Sequence, residues 1–410
     1  MVTSDCDRFV FVALPGRCEY VIAGRYRVSG EPGSDPLGEF VYGRSYLDRR
    51  EAVELDPVQL RLTERVRRTS SSDGLFGAIR DADPTSWGRP VARRSRERKV
   101  AGGFDHLDQL QTERPGAVVV ARGASAPRPT PRMMAFDELV SLMTVQDEER
   151  DAHGETPVAQ ARGPAIRITP KVTVERERTL WVAKITNGHS VWNQARVRHA
   201  TLRLARDCGL DVLPSRVERV AGGEILLVPR PDREWVGDGY ACSRLISGLT
   251  LLGTDDTPEE RLRWSHLTLA DEVRRTSSRP REDLRELFRR ICFNAAISNL
   301  NDDLLRPMMV AKARGWRLVK ASGPVPTPPV EGATREFAMI CGPAGRSPSR
   351  ENLVGGAGRF LLDREAAEAI FDTIHDTVRS SWHVVMRRSG VSAADREVVA
   401  RSIACDGERC

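Results

Sequence analysis

The sequence has no apolar run that predicts a membrane-spanning helix. The apolar stretch near its beginning, Phe9–Leu14, has six residues, whereas a helix needs about 20 to cross a bilayer. The stretch also follows acidic residues and is too short for a signal peptide. We therefore expect a cytoplasmic protein that does not contact a membrane.

Signatures that assign a metal or nucleotide site by spacing alone are also missing. No pair of the eight cysteines has the C-x-x-C or Cys/His spacing of a zinc site. Neither a Walker-type G-x-x-x-x-G-K-[ST] nor a dinucleotide-binding fingerprint occurs. Cys208 and Cys292 lie in apolar helical patterns, which predict buried thiols, and we expect no structural disulfide. The seven histidines show no triad pattern, and we expect structural roles for them.

Composition and charge fit a folded protein with more than one domain. The chain has 410 residues, of which 40% are hydrophobic and 29% charged, so two or three domains with a sizeable core are expected. The net charge is +6, and some of it comes from arginine-rich runs such as Ala92–Lys99. These runs indicate either a solvated face or a patch that binds nucleic acid or another anion.

The most informative stretch is Arg285–Pro329. Its first part predicts a helix with one buried face, formed by Leu284, Leu287, Phe288, Ile291 and Ala295. The helix leads into an acidic, amide-rich loop, Asn299–Asp303, and then into a hairpin whose second strand includes Trp316–Val319. Carboxylates and amides in this setting are typical of phosphoryl transfer, in which an Asp accepts the hydroxyl proton and an Asn and a second Asp hold magnesium.

This stretch resembles the HipA family of serine/threonine kinases, the toxins of HipA/HipB toxin–antitoxin pairs. The family pattern is roughly RRIxFNxxxxNxDDHxxN followed by GWxLxPAYD, and its framework is present as Arg289–Asn294, Asn299 and Gly315–Leu318. A second match is the run Gly74–Arg89, which contains Trp87 and resembles the family's amino-terminal subdomain. The resemblance runs from about residue 39 to residue 400.

The resemblance implies an α+β fold of the HipA-like, two-lobed protein-kinase type, with a β-rich amino-terminal lobe and a mostly α-helical carboxy-terminal lobe. We predict a HipA-like amino-terminal subdomain over residues 1–112 and a linker with an amphipathic helix over 113–163. A nucleotide-pocket segment of the kinase-like N-lobe follows over 164–235, and the helical lobe over 236–410. Within these, 114–132 is predicted to be a linker or mobile loop, and helices are predicted for Phe136–Asp147 and Arg261–Arg274.

The family's catalytic positions are altered in this chain. In the ungapped register, Asn301 stands in place of the catalytic Asp, Arg306 in place of the metal-binding Asn and Gly323 in place of the second metal-binding Asp. A one-residue insertion makes Asp302 the base, but then Pro307 falls on the metal-binding Asn. Because neither register supplies both metal ligands, we do not expect a Mg²⁺ site.

The nucleotide pocket is altered as well. The resemblance implies that Lys184, with Lys171 on the preceding strand, binds ATP phosphates. Ile166–Thr169 occupy loop positions where the family has glycines, and their side chains hinder the approach of backbone N–H groups to phosphate. Arg198 replaces the Glu that pairs with the ATP lysine. Either Arg198 and Lys184 share an anion, with Arg306 adding a third cation, or the pocket is splayed open, or Arg198 faces solvent.

Three functions follow from these substitutions. The first is a pseudokinase that binds a nucleotide, a phosphorylated ligand or another anion through its cationic pocket and has a scaffold or regulatory role. The alternative is an active HipA-type serine/threonine kinase toxin that uses Asp302 as base, draws a rearranged metal site from Asp302 and Asp303, and phosphorylates an aminoacyl-tRNA synthetase. The third is pairing with a HipB-like helix-turn-helix antitoxin or repressor, which would bring the chain to DNA indirectly.

Overall fold

The amino-terminal part of the chain folds around an antiparallel sheet. The computed structural model describes residues 7–30, 35–83, 114–127, 134–141, 171–185, 190–220, 223–328 and 335–403. The sheet has the order β4-β3-β2-β1-β5, with β1 (Arg8–Ala13), β2 (Tyr20–Ser29), β3 (Leu37–Tyr42), β4 (Arg67–Thr69) and β5 (Val118–Ala121). Short helices α1 (Arg44–Leu47), α2 (Ser71–Gly74) and α3 (Gly77–Asp81) accompany it. Trp87 lies outside the described residues.

Strand β5 differs from the expectation that residues 114–132 form a linker. Val118–Ala121 pairs with β1 in antiparallel register, and Ala117–Val120 are buried. The strand Val118–Ala121 has four apolar residues and lies between segments rich in Pro, Gly and Arg. The sequence pattern therefore did not predict a strand there. The amino-terminal sheet is therefore completed by a strand that is distant in sequence.

A second sheet carries the strands that the kinase resemblance predicts. Its order is β6-β7-β8-β10-β9, with β6 (Met134–Ala135), β7 (Lys171–Arg176), β8 (Thr179–Ile185), β9 (Arg216–Val220) and β10 (Gly223–Pro229). Residues 136–141 are helical (α4), as predicted for the start of Phe136–Asp147, and the rest of that range lies outside the described residues. Helix α5 (Gln194–Asp207) packs against β10.

Helix α5 has the ends that its sequence predicts. The Asn193 side chain accepts a hydrogen bond from the backbone N–H of Arg196 and so caps the first turn. Gly209 follows the helix with a φ of +77°, a conformation that a residue without a Cβ adopts at little cost. These signals fix where the helix begins and ends on the sheet, where it packs against β10 and β9.

The carboxy-terminal lobe is mostly helical. Its helices are α6 (Gly248–Leu252), α7 (Pro258–Arg263), α8 (His266–Thr276), α9 (Pro280–Ile297), α10 (Arg350–Gly355), α11 (Arg364–Arg388) and α12 (Ala393–Ser402), with a 3-10 turn at Ala357–Phe360. The strands β11 (Arg233–Trp235) and β12 (Tyr240–Cys242) form one ribbon, and β13 (Arg244–Ser247), β14 (Pro307–Ala311) and β15 (Arg317–Leu318) form a small sheet. In the part of the chain that is described, none of the helices has the length and apolarity needed to cross a bilayer.

The core of this lobe is built around α9. Leu284, Leu287, Phe288 and Ile291 are all buried, as their spacing predicts. Cys208 and Cys292 are buried free thiols, which confirms their assignment to the core. The predicted helix Arg261–Arg274 is instead two helices, α7 and α8, because Ser265 begins the second one by accepting a hydrogen bond from the N–H of Leu267.

A buried charge cluster joins the amino-terminal subdomain to the kinase-like body. The Asp232 carboxylate accepts hydrogen bonds from Gly116 N–H at 2.7 Å, Arg230 Nη2 at 2.8 Å and Arg233 Nη1 at 2.6 Å. Both arginines also donate to the Arg114 carbonyl oxygen. Burial alone would raise the pKa of Asp232, but the two guanidinium groups lower it to about 2. The cluster therefore anchors the segment that precedes β5.

Candidate functional site

A cavity of about 470 Å³ lies between the second sheet and the helical lobe. The strands β7 and β8, the helix α5, the end of α9 and the segment after β15 all contribute to its wall. Its charged and amide lining residues include Lys171, Lys184, Arg198, Asn294, Asn299, Asp302, Asp303 and Arg306. The structure thus brings together five of the six predicted site residues, and the sixth, Asn301, is not part of the wall.

The lysine of the second kinase-like strand projects into this cavity. Lys184 lies directly opposite Lys171 in the β7–β8 register, and its Nζ donates a hydrogen bond to the Ser322 carbonyl oxygen at 3.2 Å. Burial, together with the charges of Arg198, Arg306 and Lys171, places its pKa well below the usual value for lysine. Lys184 is therefore held among like charges.

Arg198 takes part in the same cluster from α5. Its Nε donates to Gln194 Oε1 at 3.2 Å, one turn earlier in the helix, so the side chain lies along the helix toward the cavity. Burial and the charge of Arg306 lower its pKa to about 10. Among the described residues, no carboxylate lies within ion-pair distance of either Lys184 or Arg198. Lys184 and Arg198 are therefore cations whose charge is not neutralised by an ion pair within the described residues.

Two hydrogen-bonded amide side chains hold Asp302 at the cavity wall. Asn299 Nδ2 donates to Asn294 Oδ1, and Asn294 Nδ2 donates in turn to Asp302 Oδ2, both at 2.9 Å. The turn that makes this possible begins at Ser298, which follows α9 with a φ of +56°. Asn294 and Asn299 are themselves buried. Because buried amides keep their hydrogen bonds, the relay fixes the orientation of the Asp302 carboxylate.

Asn301 points elsewhere. Its side chain is exposed and donates to Thr327 Oγ1 at 3.2 Å, and the N–H of Leu300 donates to the same hydroxyl at 3.1 Å. The loop therefore presents Asp302, and not Asn301, to the cavity. Asp302 is the carboxylate that can accept a proton from a group bound there.

In the ungapped register, Arg306 and Gly323 are the residues predicted at the family's metal-binding positions. A Cβ atom at position 323 would lie 3.4 Å from Arg306 Nη1 and 3.5 Å from Lys184 Nζ. Arg306 Nε lies 3.6 Å from Asp302 Oδ1. The guanidinium group therefore stands between Asp302 and the point where a side chain of residue 323 would begin.

The residues of this cavity do not fit a magnesium ion. Mg²⁺ requires several oxygen ligands in octahedral geometry, and Gly323 offers no side-chain oxygen. Asp303 accepts a hydrogen bond from the N–H of Leu305 at 3.1 Å, and burial raises the pKa of its carboxyl group. Among the residues that the structure describes, no group of three or more acidic, histidine or cysteine side chains is arranged to hold a metal ion.

Two features of the wall were not predicted from the sequence. His266 is 4% exposed and lies in the cavity wall, and its Nδ1 has no hydrogen-bond partner within the described part of the chain. Burial lowers its pKa while the charge of Asp302 opposes this. The second is the contact of Arg198, which lines the wall, with the Gln194 amide one turn earlier in α5. The Ser265 cap was the available signal for His266, since it starts a new helix beside the cavity.

Comparisons with known proteins agree with this geometry. The model of the family described as HipA-like C-terminal domain matches residues 166–382. No curated protein matches the sequence. Among solved structures, HipA of Shewanella oneidensis MR-1, in a toxin–antitoxin complex with HipB and its operator DNA, matches with a TM-score of 0.66 and 12% identity over 93% of each chain. The Helicobacter pylori proinflammatory kinase CtkA matches with a TM-score of 0.34 and 7% identity over 56% of this chain and 93% of that one.

The likeness to the Shewanella structure at this low identity concerns the fold. It confirms the predicted α+β, HipA-like, kinase-type architecture, with its β-rich first part and its helical carboxy-terminal lobe. The activity and the ligands of the chain have to be argued from its own side chains.

Proposed function

The chain belongs to the family of HipA-like C-terminal domains, and on that premise we propose that it is a pseudokinase whose cavity binds a nucleotide or another phosphorylated anion without Mg²⁺. Its role is then one of binding, scaffolding or regulation. The observation that carries the proposal is the position of the Arg306 guanidinium between Asp302 and the empty side-chain position of Gly323.

The charge balance of the cavity supports this function. Lys184, Arg198 and Arg306 converge there, and the acid closest to them, Asp302, is 3.6 Å from Arg306. Arginine binds phosphate through several N–H donors and keeps its charge, so it can hold an anion where an ion such as Mg²⁺ would otherwise do so. Phosphoryl transfer needs metal ions that bridge and neutralise the transferred phosphate. Beside Asp302 this cavity has a guanidinium and a glycine at the two positions where the ungapped family pattern has metal ligands.

Ligand-induced thermal stabilisation tests the proposal. ATP should stabilise the protein equally in EDTA and in Mg²⁺, and adenosine should stabilise it much less, because the phosphates carry the interaction. Arg198→Gln should reduce the stabilisation. The matched control is Arg203→Gln on the same helix, since Arg203 is exposed and should leave it unchanged. Absence of any stabilisation by nucleotides or inorganic phosphates would refute the proposal.

Asp302 supports one alternative, an active serine/threonine kinase toxin. Its carboxylate lies in the cavity and is oriented by the Asn294 amide, as a general base would be. The family's substrate class suggests an aminoacyl-tRNA synthetase as target. This alternative predicts incorporation of labelled phosphate in Mg²⁺ that is lost in Asp302→Asn. The pseudokinase predicts no incorporation by either protein.

The partner remains a proposal of its own. The matching Shewanella protein was solved with HipB and operator DNA, and we propose that this chain likewise pairs with a HipB-like helix-turn-helix protein and reaches DNA through it. Co-expression with such a protein encoded next to it should yield a complex that co-elutes in size-exclusion chromatography. Separate elution of the two chains would argue against pairing.

A further inference from the structure

The volume beside Gly323 is the most sharply defined part of the cavity. Two cationic atoms, Arg306 Nη1 and Lys184 Nζ, lie 3.4 and 3.5 Å from the point where a Cβ of residue 323 would be. Both groups therefore face the same small volume, and the glycine leaves that volume to a ligand. A phosphate oxygen accepts from such charged donors at about 2.7–3.0 Å, so an oxygen that lies near this point is within reach of both groups.

Arg306 is held in a way that leaves donors for this volume. Its Nε faces Asp302 Oδ1 at 3.6 Å, on the opposite side from Nη1. A guanidinium has five N–H donors in a rigid plane, so one edge faces the aspartate while the other faces the volume beside Gly323. Lys184 uses one of its donors on the Ser322 carbonyl and has two more.

The number of charges indicates what the ligand must carry. The wall of the cavity includes seven Lys or Arg side chains and three Asp side chains, so positive charge is in excess. Lys184, Arg198 and Arg306 are the cations that converge on the volume beside Gly323, and Asp302 faces Arg306. A single negative charge would leave the cavity strongly cationic, whereas a phosphate group with two negative charges offsets more of the excess. The wall also has apolar residues, among them Val182, Leu213 and Val228, against which a planar base can pack.

We propose that the terminal phosphate of a metal-free nucleoside diphosphate or triphosphate occupies the volume beside Gly323, where it replaces both the missing carboxylate and the missing divalent ion. This inference rests on the proposed function and adds the position, the charge and the class of the ligand. In this arrangement the Arg306 guanidinium supplies the positive charge that Mg²⁺ supplies in the family. The oxygen atoms of the ligand take the place of the carboxylate that the family pattern has at position 323.

Proton uptake on binding is a consequence of this geometry. The groups that face Lys184 are Lys171 from β7, Arg198 from α5 and Arg306 from the loop after α9, all of them cationic. They and burial lower the pKa of Lys184 in the free protein. A phosphate beside it favours the ammonium form, so binding takes up protons and the affinity should fall as the pH rises through the lowered pKa of Lys184.

Gly323→Asp and Gly323→Asn test the inference in EDTA. The aspartate places a carboxylate between Lys184 and Arg306, so the unliganded protein should become more stable and the affinity for ATP and for pyrophosphate should fall at least about tenfold, which corresponds to about 1.4 kcal/mol. The asparagine has the same size without the charge, so it should give no such stabilisation and a smaller loss. Binding is measured by titration calorimetry and stability by thermal unfolding.

Gly358→Asp is the matched control, because its Cβ would meet no atom within 4 Å and its new charge should change neither readout. If the wild type binds ATP but Gly323→Asp and Gly323→Asn behave alike, the phosphate lies elsewhere and the inference is overturned. If pyrophosphate binds as tightly as ATP, the volume holds free phosphates and the nucleoside part of the inference is wrong. If the wild type binds none of these ligands, the proposed function itself fails.

Discussion

Replacing the cavity lysine should make the empty protein more stable and the ligand-bound protein less so. Lys184 Nζ and Arg306 Nη1 both lie within 3.5 Å of the same point, so they are at most about 7 Å apart. Two like charges at that distance repel by about 2 kcal/mol at an effective dielectric constant of about 20. Lys184→Met removes this repulsion, the repulsion from Arg198 and Lys171, and the cost of burying an ammonium group. It loses a charge-assisted hydrogen bond to Ser322 worth about 1.5–3 kcal/mol. Because several costs are removed and one contact is lost, the expected net effect is a stabilisation.

The same substitution should weaken ligand binding. A charge-assisted hydrogen bond contributes about 1.5–3 kcal/mol, so ATP in EDTA should bind about 10- to 100-fold more weakly to Lys184→Met than to the wild type. Urea unfolding followed by tryptophan fluorescence measures the first effect, and titration calorimetry measures the second. A higher free energy of unfolding together with a lower affinity for ATP is the result expected for a binding residue that is held among like charges.

Lys312→Met is the matched control. Lys312 is exposed and pairs with Glu234 at 2.9 Å, and a surface pair of this kind contributes about 0–1 kcal/mol. This variant should be unchanged or slightly less stable and should bind ATP normally. If Lys184→Met lowers the free energy of unfolding instead of raising it, the ammonium is stabilised by its surroundings and the account of the cationic cavity is wrong.

Three further perturbations have defined outcomes. Asp232→Ala should cost about 3–5 kcal/mol of unfolding free energy in urea, because it leaves two buried guanidinium groups without their carboxylate, whereas the exposed Glu234→Ala should cost little. Burial lowers the pKa of His375 from 6.5 to about 4, so the folded state favours the neutral imidazole. The free energy of unfolding should therefore fall as the pH drops from 6.5 toward 4. The variant His375→Gln should show a weaker dependence on pH over that range. The double variant Arg306→Asn with Gly323→Asp restores two oxygen ligands, so stabilisation by ATP should become dependent on Mg²⁺; a double variant still indifferent to Mg²⁺ would show that these positions are not the lost metal ligands.

Local signals and the family resemblance together predict the elements that form the frame of the cavity. The helix α5 begins at an Asn cap and ends before Gly209, and α9 has one continuous apolar face. These are local signals, since each depends on residues a few positions apart. The strands β7 and β8 and the pocket positions of Lys184 and Arg198 were predicted from the resemblance, and the structure brings both side chains to the same cavity.

The orientation of the acidic loop could not be predicted in the same way. Which of Asn301 and Asp302 enters the cavity depends on the Asn294 amide, eight residues before Asp302, and on Thr327, whose hydroxyl holds Asn301 from the other side. It also depends on the left-handed conformation of Ser298, which a serine rarely adopts. Such contacts between distant residues leave no pattern in a single sequence, and the same holds for the pairing of β5 with β1.

Arg306 and Gly323 are best understood as one structural change. An aspartate at 323 would lie against Arg306 and Lys184, so its carboxylate would neutralise the cations and fill the volume that a ligand can use. Without it, the guanidinium is free to bind oxyanions, but it has one positive charge and fixed donor directions, whereas Mg²⁺ has two charges and bridges the phosphate oxygens during transfer. On the proposed function, the arrangement retains what is needed to bind a phosphate and lacks what is needed to transfer one. Asp302 keeps its place through the Asn294 amide, so the position of this carboxylate does not by itself distinguish the pseudokinase from the kinase alternative. The cation beside it is what the proposal adds, and the labelled-phosphate assay separates the two.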